Sequence, residues 1–184
     1  FNKYPRNISK DAELAFIAGA DAIWAPGYEE VFPGGKDSHF TIQVPQTLNN
    51  QLCGAERIGH FNGVATVIIR LISIIKPETI ILGEKDWQQL IIIRRLFHEL
   101  SIPIKIESIA TQRDESGFAY SSRNSYLSHS ERLNAQSLPK AIQEAKHNFD
   151  QDKVINLKKI ASRLQENDLK IEYIKVVDAF SLKE

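Results

Sequence analysis

Apolar residues recur at helical spacing over long stretches of this chain and gather into short β-branched runs between them, so the pattern predicts alternating helices and strands. From Gly63 to Lys76, Val64, Val67, Ile68, Leu71, Ile72 and Ile75 fall at i, i+3, i+4, i+7, i+8 and i+11, the strongest helical stripe in the sequence. Pro77 stops it. Thr79 to Leu82, ended by Gly83, is too apolar for a half-exposed strand and reads as one inside a parallel sheet. Helical spacing returns from Asp86 to Leu100 through Leu90, Ile93, Phe97 and Leu100, and beyond Pro103 the run Ile104 to Ile109 reads as another strand. Helix, strand, helix, strand with short joints predicts a doubly wound sheet.

Before this block, Ser9 precedes a segment with Asp11 and Glu13 in its first turn, Leu14, Ile17 and Ala18 on one face, and Gly19 at its end, which predicts a capped helix. Ala22 to Ala25, closed by Pro26-Gly27, reads as a short strand, and His39 to Val44 as a strand or hairpin after the Pro33-Gly34-Gly35 loop. After Thr111 polar residues dominate through Asn124. Helices are then expected over Ser130 to Phe149, broken or kinked by Pro139, and over Val154 to Gln165, with a last strand from Ile171 to Val177. The boundary near Thr111 divides the chain into a sheet domain, 1–111, and a smaller α+β domain, 112–184.

Composition narrows the function classes. With 42% hydrophobic residues in 184, a buried core is within reach, and no apolar run approaches the roughly 18 residues of a membrane helix. Lys plus Arg equals Asp plus Glu at 23 each, so no overall field attracts nucleic acid or anionic lipid, and anion binding must be local. One cysteine, Cys53, excludes an internal disulfide and an all-cysteine zinc cage, and fits a reducing cytoplasm; its ordinary role is a small apolar filler. The five histidines show no paired spacing for zinc. Pro33 to Ser38 has a Walker-like look, but Glu30 stands where a phosphate loop needs glycine. The sequence holds no methionine and begins at Phe1, which suggests a piece of something longer. Its first residues lack the zoning of a signal peptide.

Three clusters have residues suited to chemistry. G-E-K-D-W-Q-Q, Gly83 to Gln89, lies where a strand becomes a helix, and in open α/β sheets ligands gather at that end, near unpaired helix amides. There Lys85 can neutralise a phosphate, Asp86 can accept from a ribose hydroxyl, and Gln89 can offer an amide to a second substrate; alternatively these charges only favour a helix start. Y-S-S-R-N, Tyr120 to Asn124, sets two hydroxyls beside a guanidinium that can grip phosphate oxygens, or is an ordinary polar turn. In R-I-G-H-F-N-G-V, Arg57 to Val64, Arg57 and His60 can bind anions or serve structure. R-I-G-H is not a degenerate H-x-G-H nucleotide motif, because no buried strand precedes it.

Together with Y-P-R at Tyr4 to Arg6 and R-D-E-S-G-F-A-Y-S-S-R-N-S-Y-L from Arg113 to Leu127, in this order and spacing, these clusters closely resemble pantothenate synthetases, the pantoate–β-alanine ligases, over essentially the whole chain. The resemblance implies a Rossmann-like, nucleotidylyltransferase-like doubly wound parallel sheet, incomplete at its N-terminus, with a C-terminal α+β lid. It implies condensation of pantoate with β-alanine through a pantoyl adenylate, with Mg²⁺-ATP as substrate and AMP and pyrophosphate as products, in a cytoplasmic homodimer. Carried over residue by residue, Gly83, Glu84, Lys85 and Asp86 would hold ribose and phosphates, Gln112 and Tyr120 would border adenine, and Ser121, Ser122 and Arg123 would grip phosphates from the lid. Lys85 and those three are the catalytic candidates. Gln89 would bind pantoate, with Val64, Val67, Ile68 and Leu82 as the wall for its dimethyl group, although helical spacing would place these in a core anyway. Metal ligands are not assigned.

The sequence departs from the family at Ile58 for proline, Cys53 for glutamate and Tyr120 for leucine or methionine. The family's H-x-G-H motif is not in it, so the chain alone is expected to turn over poorly, and a fused cytidylate kinase occurs in some cyanobacterial members. Two other readings are a related nucleotidylyltransferase and a non-catalytic nucleotide- or pantoate-binding fragment. The strand at Phe40 to Val44 is the candidate for part of a dimer contact.

Overall fold

The computed structural model describes residues 7–35 and 38–184. Tyr4 to Arg6, and Lys36 and Asp37 of the Walker-like stretch, lie outside the described residues. The chain runs through α1 (Ile8–Ile17), α2 (Tyr28–Val31), α3 (Gln46–Asn49), α4 (Cys53–Glu56) and α5 (His60–Ile75). Then come β1 (Thr79–Gly83), a 3₁₀ turn (Glu84–Asp86), α6 (Trp87–Glu99), β2 (Lys105–Ile109), a second 3₁₀ turn (Ser122–Tyr126), α7 (His129–Ala135), α8 (Ser137–Asp152) and α9 (Leu157–Gln165).

β1 and β2 pair in parallel, Ile80 opposite Ile106 and Leu82 opposite Ser108. Alternation puts Ile80, Leu82 and Ile106 on the face covered by α5 and α6, where Ile72, Ile93 and Phe97 form a closed cluster with Val64 and Ile68 beside it. A second cluster joins Val44, Leu48, Phe61, Ala65, Ile91 and Ile92. The two apolar stripes of α5 and α6 thus build both cores.

Several expectations change. Asn7, not Ser9, caps α1, its side chain accepting from the Lys10 amide; Gly19 does close the helix, at φ 95°. The apolar face of α1 is covered by nothing among the described residues, leaving Leu14 and Ile17 exposed. β1 is not buried on both faces: Ile81 is 60% exposed, because no described strand or helix covers that side. Ala22 to Ala25 and Ile171 to Val177 form no strand, since neither finds a ladder partner among the described residues.

His39 to Val44 is not a hairpin either. Its backbone is held by α5 instead: the Ile42 amide donates to Thr66 Oγ1 at 2.8 Å, and the Val44 amide to Asn62 Oδ1 at 2.9 Å. The expected helix over 130–149 is two, α7 and α8, and the break comes at Gln136, ahead of Pro139. Pro139 lies in the first turn of α8, where an amide has no intrahelical acceptor to lose.

The end of the chain returns to the first half. Leu182 is 1% exposed and sits among Val44, Leu48, Phe61 and Ile92. Asp178 shapes the turn that delivers it, accepting from the Phe180 and Ser181 amides and from Ser181 Oγ, bonds that hold its carboxyl below the usual range. Trp87 Nε1 donates to the Ala179 carbonyl at 2.7 Å.

Candidate active site

The carboxyl ends of β1 and β2 and the start of α5 frame the site. Gly83 ends β1, and Glu84, Lys85 and Asp86 form the 3₁₀ turn leading into α6. Lys85 Nζ lies 3.8 Å from Asp86 Oδ1, a loose pair with both side chains in solvent. Asp86 stands at the N-cap of α6 without capping it through its side chain, so neither its carboxylate nor the first amides of α6 are committed to one another. Glu84 is held differently: Ser108 Oγ donates to its Oε1 at 2.9 Å.

Gln89 lies in the first turn of α6, half-buried, and its side-chain amide makes no hydrogen bond to the described residues. Its neighbour Gln88 is buried and structural, Nε2 donating to the Leu48 and Gln51 carbonyls at 2.9 and 2.8 Å, which fastens the α3–α4 loop to α6. The two glutamines of one motif therefore divide into an anchor and an uncommitted amide, and it was Gln89 of the two that the sequence offered for a second substrate.

Opposite this turn stands the R-I-G-H segment. Gly59, at φ 75°, turns the chain into α5, and His60 begins the helix with its ring against Phe61, centroids 4.9 Å apart. Burial, followed by the charges of Arg57 and Arg123, holds the His60 imidazole below its usual range, and Asp86 opposes them. One imidazole thus feels residues of all three motifs, which are far apart in sequence. Arg57 is exposed, as is Ile58 at the family's proline position. Cys53 is half-buried against the second core cluster, as a filler would be.

The Y-S-S-R-N segment is presented by a turn whose organiser was missed from sequence. Asp114 accepts from Ser116 Oγ, the Ser116 and Phe118 amides and Arg132, and these bonds hold its carboxyl below the usual range. The Arg113–Ala119 bridge and the Tyr120 amide, donating to the Gln112 carbonyl at 3.0 Å, close the hairpin-like turn. Gln112 Nε2 donates to the Ala110 carbonyl, and the Tyr120 side chain is exposed. Ser121 Oγ accepts from the Arg123 amide at 3.3 Å, Ser122 lies in the 3₁₀ turn with its carbonyl accepting from Ser125 Oγ, and the Arg123 side chain is exposed.

The proposed apolar wall is split. Val64, Ile68 and Leu82 pack against Ile72, Ile93 and Phe97, whereas Val67 is half-buried and belongs to neither core cluster. A separate apolar cleft of about 540 Å³ lies between α8, α9 and residues 169–176, lined in part by Ala141, Ile160 and Leu164, and contains none of the residues above.

The family profile described as pantoate-beta-alanine ligase matches residues 1–184. The chain belongs to that family. It is 78% and 79% identical, over its whole length, to bifunctional pantoate ligase/cytidylate kinases of Prochlorococcus marinus strains NATL1A and NATL2A, and covers 36% of each. Pantothenate synthetase from Thermus thermophilus superposes with a TM-score of 0.88 at 34% identity, over 98% of this chain and 66% of that one. Pantoate-beta-alanine ligase from Francisella tularensis, solved with beta-gamma ATP and beta-alanine, matches at 0.85 and 29%, over 96% and 64%. The likeness carries the Rossmann-like fold, of which the parallel β1–β2 pair under α5 and α6 is the described part. The chain thus spans about a third of these curated relatives and just under two thirds of the solved ligases.

Proposed function

We propose that this chain carries the nucleotide- and pantoate-binding face of an AMP-forming pantoate–β-alanine ligase. The observation that supports it best is that the charges of Arg57, Arg123 and Asp86, from three separate motifs, all act on His60, with Lys85 Nζ 3.8 Å from Asp86 Oδ1. Four cationic or protonatable groups in a chain of zero net charge make a local anion site.

In the first step a pantoate carboxylate oxygen attacks the α-phosphorus of ATP. The bond to the β-phosphate oxygen breaks, and pyrophosphate leaves. Lys85 would meet the charge gathering on the leaving group, with Ser121, Ser122 and Arg123 holding phosphate oxygens from the other side. Gly83, Glu84 and Asp86 would border ribose and phosphates, and Gln112 and Tyr120 the adenine. Gln89 would hydrogen-bond pantoate, and Val67 is the wall position left uncommitted by the core. In the second step the β-alanine amine attacks the acyl carbon, the C–O bond to AMP breaks, and the ammonium proton is lost.

No three His, Cys, Asp or Glu side chains among the described residues converge on a resident metal site. Magnesium arriving on ATP needs only one or two protein carboxylates, and the exposed Asp86 stands beside Lys85. No helix among the described residues is long and apolar enough to cross a membrane; we assign the enzyme to the cytoplasm and to a homodimer on the resemblance to the family. The identity to bifunctional relatives supports placing the ligase beside a cytidylate kinase.

The deciding experiment is single-turnover pyrophosphate release by the complete protein with ATP and pantoate. Lys85→Ala should fold normally and lose roughly 10²- to 10³-fold in adenylation rate, more than it loses in binding. A change below about threefold would place the phosphate site elsewhere. Product analysis separates the nucleotidylyltransferase reading, which would leave AMP attached to a stable product.

A further inference from the structure

The layer between the sheet and α6 ends in a polar relay. On the covered face of the strands the rungs read Ile80 with Ile106 and then Leu82 with Ser108, and two residues beyond Leu82 comes Glu84. At this rung the apolar ladder gives way to a hydroxyl and a carboxylate. Arg94, half-buried on α6, donates from Nη2 to Ser108 Oγ at 3.1 Å, and Ser108 Oγ donates to Glu84 Oε1 at 2.9 Å. Among the described residues no carboxylate lies within 4.0 Å of the Arg94 guanidinium, so its charge acts on Glu84 through the serine. A hydroxyl that receives from a cation donates more strongly, and a carboxylate held this way has a fixed direction.

Glu84 adjoins Lys85, whose ion pair with Asp86 is loose. A released Glu84 carboxylate would be a second anion competing for the same ammonium. We infer that Ser108, backed by Arg94, is a positioning residue that pins Glu84 beneath the sheet end and so keeps Lys85 available to phosphate. The inference rests on the proposed role of Lys85 and adds to it the device that holds the lysine unneutralised.

The test uses the complete protein and single-turnover pyrophosphate release. Ser108→Ala should slow adenylation roughly tenfold, the scale of losing one hydrogen bond to a charged group, with kcat falling more than KM for ATP rises. Ser108→Thr, which keeps the hydroxyl, should restore most of the rate. In a Glu84→Gln background, Ser108→Ala should cost less than about twofold, because the competing charge is gone. A purely structural serine predicts instead a lower melting temperature with an equal rate loss in both backgrounds. Equal losses in both backgrounds, or an unchanged rate in Ser108→Ala, overturn the inference. If Ser108→Ala does not fold, Arg94→Gln read in the same two backgrounds decides by the same criterion. Lys85→Ala without effect would sink the underlying reading, whereas a large Lys85→Ala effect beside an inert Ser108→Ala would remove only the relay.

Discussion

At the scale of single residues, glycines and one histidine make the sharpest claims. A Cβ on Gly54 would stand 2.0 Å from the Asn49 carbonyl oxygen and 3.1 Å from the Phe61 ring, so the α3–α4 approach requires glycine for space. Gly54→Ala should lower stability by about 1–3 kcal/mol, as overpacking does. Gly63, inside α5 with nothing within 4 Å of its Cβ position, should respond oppositely, Gly63→Ala adding about 0.5–1 kcal/mol in denaturant unfolding. His60 supplies a pH signature. Its native pKa is depressed by burial, then by Arg57 and Arg123, so protonation opposes folding. Its contribution to stability is full above the unfolded value of about 6.5 and is lost as pH falls through the native value. NMR titration should put its midpoint below 6.5, and Arg57→Ala should raise it; a midpoint at or above 6.5 in the intact protein would contradict the cluster. The sequence had offered Arg57 and His60 as anion binders or as structure, with no means of choosing, because their neighbour Arg123 is 63 residues from His60.

Among the elements, those legible in advance are the ones whose signal is local. α5, α6, β1 and β2 announce themselves by period and by Pro and Gly punctuation, and they appear within a few residues of expectation. The segments at 22–25, 39–44 and 171–177 have strand-like composition, yet a strand exists only where a neighbour completes its ladder, and composition says nothing of that neighbour. The tail was invisible for the same reason. Leu182 reads as one leucine in a polar end, and its burial depends on Phe61 and Ile92 far back in the chain. Its backbone sits at φ 59°, a conformation costly for leucine, which burial and the Asp178 turn offset. Leu182→Ala should therefore cost about 2–5 kcal/mol in denaturant unfolding. Trp87→Phe, keeping the ring but removing the donor to Ala179, should cost less, about 0.5–1.5 kcal/mol. A neutral Leu182→Ala would mean that the tail does not occupy the core.

On the scale of the whole molecule, the segment that failed to become a hairpin has the features of an interface. Ile42 and Val44 spend their amides on Thr66 and Asn62 of α5, while the alternating Thr41 and Gln43 amides make no hydrogen bond to the described residues. Phe40 at its start is 100% exposed. A segment with alternate backbone amides left unbonded and an uncovered aromatic ring invites another strand. The family resemblance suggests which: the same segment of a second copy, meeting it antiparallel across a two-fold axis, since such an edge is self-complementary. Phe40→Asp would set two like charges near that axis and leave the α5 anchors untouched. Light scattering of the complete protein should then show a dimer for the wild type and a concentration-dependent shift toward monomer for the variant, with the melting profile of the first core retained. A wild type that is monomeric at every concentration would end the proposal. A Phe40→Asp protein as firmly dimeric as its parent would move the interface to another face.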